Sequence, residues 1–415
     1  MISHNNQSTT WLLESQLAPH VDALSHYFTQ DGYASNTATT YIACIAHFAH
    51  WLTRSGIDIH GIGEEVVRQF LDDHLPDCNC ARQVHRVHRE LRAALRLLRV
   101  VLRANDVISE PPVGTTPVDE ELRCFDDHMN HVRGQSSKTR SQCLYIIRRL
   151  LLEQFSDHSV VFSTITPEDV RRFVAGQIKL YSSPTSAGSL VSALRGYFRF
   201  RATCGDQVHH LIGVLWRPAN WQLSSLPKAL NSSEVECLLG ALDYDGPSAR
   251  RAKAIVHCAL DLGLRCSEVA RLGLDDIDWR EATITLRRTK SCREDVMPLP
   301  AATGSVIADY LRFERPQTVK NRSIFVRSIA PREQPIGPDL VRKTIRQAYA
   351  RAGLPYTRAH LLRHTVASRL LEGGSSLKEV ADVLRHRSLN TTLIYAKLDS
   401  KNLVAVALPW PGSTS

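Results

Sequence analysis

The sequence has no apolar run long enough to cross a membrane. Its hydrophobic stretches are short, and arginines cut the longest helical ones before they reach about 18 residues. A soluble protein is therefore expected. The ten cysteines show neither the paired spacings of a disulfide framework nor those of a zinc ribbon, and no signal peptide is read ahead of them. A disulfide-stapled secreted domain is thereby excluded, and a reducing cytoplasm is the natural setting. Acidic excess is missing as well: 51 Lys and Arg stand against 42 Asp and Glu, a formal charge of +9. Such a balance favours a polyanionic partner without requiring one. The nearest approach to a metal pattern is His74, Cys78, Cys80, His85 and His88. That spacing fits no common zinc module, so no metal or other cofactor is expected.

At 415 residues the chain has room for two or three domains. Three stretches of its first half recur in order. Gly32, Ser35 and Thr37 match Gly134, Ser137 and Thr139 at an offset of 102. Glu65, Val67, Arg68 and Phe70 match Glu168, Val170, Arg171 and Phe173 at 103, and Leu91, Ala94, Leu95 and Arg96 match Leu190, Ala193, Leu194 and Arg195 at 99. Three ordered matches at a nearly constant offset argue for duplication. Each copy, at 12–107 and 118–215, reads as a four-helix bundle, with apolar residues at three and four spacing and Ser or Thr at helix caps. Ile45, Phe48 and Trp51 form one apolar face of the first. Breaker-rich linkers near 109–117 and 217–227 flank the second copy.

Arg82, Arg86, Arg89, Arg92, Arg96, Arg99 and Arg103 follow one another at spacings of three and four, and predict one basic helical stripe. Val84, Val87, Leu91, Leu95, Leu98 and Leu102 form the opposite, inward stripe. The one acidic residue within 81–104 is Glu90, so the usual i,i+4 partners of a solvated face are missing. Contact with DNA phosphates suits such a stripe, because arginine forks match phosphate oxygens. An acidic partner protein is the competing reading. Arg195, Arg199, Arg288 and Arg293 are further candidates for DNA contact.

The last third, 226–410, is mostly helical with one break. Residues 282–288 alternate like a strand and 295–300 can return beside it, which places Thr289, Lys290 and Ser291 in a hairpin turn. Around it are Arg265 in Gly-Leu-Arg-Cys-Ser-Glu, His360 and Arg363 in His-Leu-Leu-Arg-His-Thr, then His386, and Tyr395 after Thr-Thr-Leu-Ile. Two arginines can clamp the non-bridging oxygens of a phosphodiester, and a tyrosine can attack its phosphorus without a metal. His360 and His364 at i,i+4 also invite a zinc reading, but a zincin places Glu after its first His and this chain has Leu361.

In this order and spacing, the motifs from about Leu226 to Leu398 resemble the tyrosine recombinase (phage integrase) family. The resemblance implies a mainly α fold: helical SAM-like modules, here duplicated, and an α-rich catalytic domain with a small antiparallel sheet. It implies that Tyr395 forms a 3′-phosphotyrosyl bond and that Arg265 and Arg363 hold the phosphate. In the same pattern Lys290 is the general acid, His360 assists proton transfer at the tyrosine, His386 donates to a phosphate oxygen, and Glu268 orients its neighbours. It also implies double-stranded DNA with specific sites as partner in the bacterial nucleoid, and a homotetramer or an assembly with partner recombinases. The copy at 118–215 corresponds to the family's core-binding module, which makes the copy at 12–107 an addition typical of mobile-element integrases. The apolar tail from Lys401 to Trp410 suits docking on a neighbouring subunit. Two alternatives stay open, a type IB topoisomerase and a DNA-binding accessory subunit. One departure is visible: Arg385 stands where a glycine usually precedes the histidine, and it is expected either to disturb the backbone there or, with Arg387, to add phosphate contacts.

Overall fold

In the computed structural model, the described residues are 6–80, 84–109, 116–156, 158–180, 184–217, 227–287, 294–317, 320–386 and 391–398. The contacts divide the chain into two units, Asp106–Gln222 and a second made of Met1–Asn105 with Leu223–Ser415.

The first unit is a helical bundle built from Pro117–Asp127, Ser137–Phe155, Pro167–Ile178 and Pro184–Thr203, with the short His209–Gly213 closing it. Its helix starts carry the expected caps. Thr116 and Thr166 accept the backbone N–H of Asp119 and Asp169, each ahead of a proline at the first helical turn, and Ser136 accepts that of Thr139. These are the places where a side-chain oxygen satisfies an orphan donor and proline costs no hydrogen bond. Ile147, Leu150, Val170, Leu190, Leu194 and Tyr197 meet in its core.

Residues 21–104 repeat this plan. Val21–Gln30, Ser35–Ser55, Glu64–Arg68 continuing into Gln69–His74, and His88–Ala104 follow one another. Gly32 and Gly134 both end a first helix at positive φ, 68° and 56°, as a left-handed cap needs. The matched pairs Val67 and Val170, Phe70 and Phe173, and Leu91 and Leu190 are all buried. Ile45, Phe48 and Trp51 are buried too, as their spacing predicts.

The basic stripe needs correction. Its helix starts only at His88, so Arg86 lies ahead of it and donates to the Cys80 carbonyl at 3.0 Å. Val87 is exposed rather than packed. Arg99 is mostly covered and pairs with Glu64 at 2.5 Å, 35 residues upstream, where a count of i,i+4 partners does not look. Arg103 is half-buried, while Arg89, Arg92 and Arg96 are exposed. Arg82 lies outside the described residues.

From residue 227 onward, Ala249–Leu260 runs through the core against Ala301–Phe313, Pro338–Arg351 and His360–Glu372. The sheet is antiparallel in the order β1 (Ile277–Asp278), β2 (Thr283–Leu286), β3 (Asp295–Pro298). Ile284 and Leu286 point into the core and alternate with the half-buried Thr283 and Thr285, the period of two that marked this strand in the sequence. Asp31 at the end of Val21–Gln30 accepts the backbone N–H of Arg332 at 3.1 Å, which ties the first bundle to this part of the same unit. Among the described residues, no helix is long and apolar enough to cross a membrane.

Candidate active site

The site begins where Ala249–Leu260 ends. Gly263 takes φ +59°, and a Cβ there would lie 2.9 Å from Leu384 Cδ2. A glycine is therefore needed both for the turn and for the close approach. The turn aims the Gly263 carbonyl at Arg363, whose Nη1 donates to it at 2.6 Å while Nη2 donates to the Leu384 carbonyl. Arg265 follows as the N-cap of Cys266–Val269. Its backbone N–H donates to Glu268 Oε2 at 2.8 Å and its Nη1 to Oε1 at 2.6 Å.

Arg385 completes the cluster from the other side. It adopts φ +54°, the left-handed conformation that glycine takes without strain. Its side chain is buried, with Nη2 3.1 Å from Glu268 Oε2 and Nη1 2.9 Å from the Val383 carbonyl. The expectation that Arg385 contacts phosphate is therefore corrected: the guanidinium turns inward and supports Glu268. The carboxylate thus bonds two of three neighbouring guanidiniums. Burial alone would raise its pKa, but the charges of Arg385 and Arg265 and the Arg265 N–H outweigh it and hold the carboxyl below its ordinary value. For Arg363, burial and then the charges of Arg265 and Arg385 pull the pKa down to about 9, so it stays charged at neutral pH.

The helix His360–Glu372 carries Arg363 and, one residue later, His364. Tyr395, on the 3₁₀ turn Leu393–Leu398, is 1% exposed and packs among Val366, Ala367, Leu371, Val380 and Leu384. Its hydroxyl is 2.6 Å from His364 Nδ1. Burial pushes the phenol up to about 12, with Arg363 pulling the other way. Burial, His360 and Arg363 lower the imidazole of His364. With the ring hydrogen on Nε2, the phenol donates to Nδ1, the arrangement that general-base activation of a nucleophile needs. His386 is 2.7 Å from the hydroxyl of the buried Thr392 through Nδ1. Burial and the charges of Arg363, Arg265 and Arg385 pull its pKa down to about 4, so it is a neutral hydrogen-bonding group at physiological pH.

Comparison with known proteins bears on what this cluster is. Residues 228–402 match the model of the phage integrase family. Over nearly the whole length, 405 residues, the chain is 33% identical to the integrase/recombinase y4rA of Sinorhizobium fredii, covering 96% of each protein. The chain belongs to the phage integrase family of tyrosine recombinases. It is an enzyme of DNA strand breakage and rejoining in site-specific recombination. The tyrosine recombinase XerA of Pyrococcus furiosus is 28% identical over 273 residues, 66% of this chain and 87% of that protein. Two solved structures share the fold. XerH recombinase bound to palindromic difH substrate matches with TM-score 0.52 at 18% identity, over 73% of this chain and 99% of the other. The Tn1549 transposon integrase with transposon right end DNA also gives 0.52, at 15% identity over 69% and 99%.

Of the residues singled out in the recombinase sequence, Arg265 and Arg385 meet on Glu268, Arg363 is held beside them by the Gly263 and Leu384 carbonyls, and His386 lies close enough for the charges of Arg363, Arg265 and Arg385 to lower its pKa. Tyr395 reaches the same helix through His364. His360 is exposed one turn earlier on that helix, and His364, which entered the sequence reading only through the zinc alternative, is the histidine on the tyrosine. Lys290, Arg288 and Arg293 lie outside the described residues, as do Arg387 and the tail from 399. The strands that frame Lys290 pair antiparallel, Leu286 with Asp295, so the second returns beside the first as expected. In the second bundle, Arg199 is exposed, whereas Arg195 is half-buried and donates to the Leu215 carbonyl.

Proposed function

We propose that Tyr395 is the nucleophile of this recombinase and that the chain integrates or transposes a mobile element. The observation that carries the reading is the Tyr395 hydroxyl on His364 Nδ1 at 2.6 Å, next along the helix from the buried, charged Arg363. The phenol oxygen attacks phosphorus and the bond to the 5′ oxygen breaks, leaving a 3′-phosphotyrosyl ester. Lys290 gives the departing oxygen its proton, and His364 takes the one from the phenol, with His360 beside it. Arg265 and Arg363 hold the non-bridging oxygens, a stabilisation that grows as charge develops there. His386 bonds a phosphate oxygen, and Glu268 and Arg385 keep the arginines in place. Resealing by a different 5′ hydroxyl reverses each step.

Resemblance to y4rA over almost the full length, both bundles included, supports the mobile-element reading, as does the fold shared with a transposon integrase. In this proposal the bundles at 12–107 and 118–215 and the catalytic domain at 226–410 each contact DNA, and four subunits assemble on two sites. Arg89, Arg92 and Arg96 face phosphates. Replacing all three by alanine is expected to flatten the log–log salt dependence of DNA affinity by roughly 2 to 3 units, at about 0.9 per phosphate contact. An unchanged slope would assign that face to a protein partner.

The functional test uses a plasmid carrying two element-end sites, with no added metal. Recombinant circles or deletions are the expected products. Relaxed plasmid with no exchange between sites would move the assignment to a type IB topoisomerase-like activity.

A further inference from the structure

Far from Tyr395 in sequence, the first bundle gathers four metal-binding side chains that the recombination chemistry does not use. His47 comes from Ser35–Ser55, His74 from the end of Gln69–His74, and Cys78 and Cys80 from the segment after it. Their ligand atoms all lie within 4.8 Å of one another. We infer that His47, His74, Cys78 and Cys80 form a tetrahedral zinc site that clips residues 74–80 to the second helix of the bundle.

The distances fit such a site. With zinc about 2.1 Å from nitrogen and about 2.3 Å from sulfur, a tetrahedron places N and S about 3.6 Å apart. Cys78 Sγ is 3.3 Å from His47 Nε2, and Cys80 Sγ is 3.7 Å from His74 Nε2. The outer contacts fit as well. His47 is fully buried, and its Nδ1 is 3.0 Å from the His85 carbonyl. A carbonyl only accepts, so Nδ1 carries the hydrogen and Nε2 presents its lone pair to the cluster. This is the outer contact that usually fixes a metal-bound histidine. Arg86 holds the Cys80 carbonyl at 3.0 Å. Two thiolates and two imidazoles neutralise Zn²⁺ and, among first-row ions, suit it best.

The duplication supplies an internal control. At the matching offsets of 102 and 103, the second copy has Arg149, Gln177, Tyr181 and Ser183, none of them a cysteine or histidine. There the third helix, Pro167–Ile178, is α-helical throughout, whereas in the first copy it winds into a π-turn over Gln69–His74, ending on the ligand. The bundle therefore does not require these residues or that winding of its third helix, and the two occur together in the first copy; the second copy's own π-turn, His128–Val132, lies in its first helix. The expectation of no metal is revised for a definite reason. His85 and His88 of the local pattern pair with Glu90 and Asp72 instead, and the fourth ligand, His47, lies 27 residues before His74.

The test measures metal on the full-length protein, expressed with zinc and purified without chelators. About one zinc per chain is expected by elemental analysis, from a four-ligand site. Cobalt-substituted protein should show tetrahedral visible bands together with thiolate-to-cobalt charge transfer. Cys78→Ser and Cys80→Ser should each lower zinc affinity about tenfold or more in competition with a chromogenic chelator. Protein that stays metal-free after incubation with zinc, or cobalt bound without thiolate charge transfer, would overturn the site. So would two serine variants with unchanged zinc affinity. The cobalt spectrum of the wild type decides the matter even if neither variant folds, and none of these readouts depends on strand cleavage.

Discussion

Tyr395→Phe is expected to abolish covalent attachment to DNA, a loss on the order of 10⁴-fold or more in cleavage rate, as follows when a nucleophile is deleted. Binding to the same DNA should change by less than about tenfold, because the substitution removes one hydroxyl whose net hydrogen-bond worth is about 0.5–1.5 kcal/mol. The ring still fills its place among Val366, Leu371 and Val380, so the fold survives. The cost is the half-buried His364 Nδ1 left without its partner, at most about 1–3 kcal/mol. His364→Ala makes the informative contrast. It keeps the nucleophile and should slow adduct formation by about 10²–10⁴, the range of a lost general base. A gel that resolves protein–DNA adducts after denaturation, paired with a binding assay, separates these outcomes. Adducts formed by Tyr395→Phe at the wild-type rate would remove Tyr395 from the chemistry.

Removing Glu268 should damage the site through stability. Its carboxylate, 6% exposed, bonds the guanidiniums of Arg265 and Arg385, and Arg363 is the third positive charge beside them. Glu268→Ala leaves like charges buried without their counter-ion, which costs about 3–5 kcal/mol. Hydrogen exchange in the His360–Glu372 helix should accelerate by about 100-fold or more if the helix opens with its domain. Unchanged protection would show that the carboxylate does not hold the arginines together. Glu268→Gln keeps an acceptor without the charge and should fall between. The pH dependence has a definite sign. The folded pKa of Glu268 is held below its ordinary value, so its contribution is fully present above the unfolded value of about 4.3 and fades as pH falls through the lower folded value. Wild type should therefore lose its stability advantage over Glu268→Gln only in that acid window. An advantage that vanishes between pH 6 and 8, well above about 4.3, would contradict the assignment.

Much of this was legible in the sequence because it depends on local periodicity. Alternation marked β2, apolar spacing with Ser or Thr at caps marked the bundles, and constant offsets marked the duplication. The two arginines and the tyrosine were legible because phosphate chemistry needs those groups together. What escaped depends on long-range geometry. His360 and His364 share a helix face, so spacing alone does not decide which meets Tyr395, a contact made across 31 residues. Arg385 read as a misfit for a glycine position, yet it accepts the left-handed backbone and finds Glu268, 117 residues away. Arg99 read as an unpartnered charge because Glu64 sits on another helix. In each case the deciding partner comes from a different element, which a one-dimensional pattern does not encode.

In the proposed reaction, Tyr395 becomes covalently joined to DNA with no metal taking part. The most direct measurement incubates the full-length protein, without added divalent metal, with DNA substrates nicked beside a candidate element-end site, so that the cleaved strand cannot reseal. The trapped adduct is then digested and its peptide sequenced by mass spectrometry. A nucleotide is expected on the peptide containing Tyr395, attached through a 3′ phosphate, with a free 5′ hydroxyl on the released strand. A nucleotide on another residue would contradict it, as would cleavage that appears only with a divalent metal and leaves no protein on the DNA.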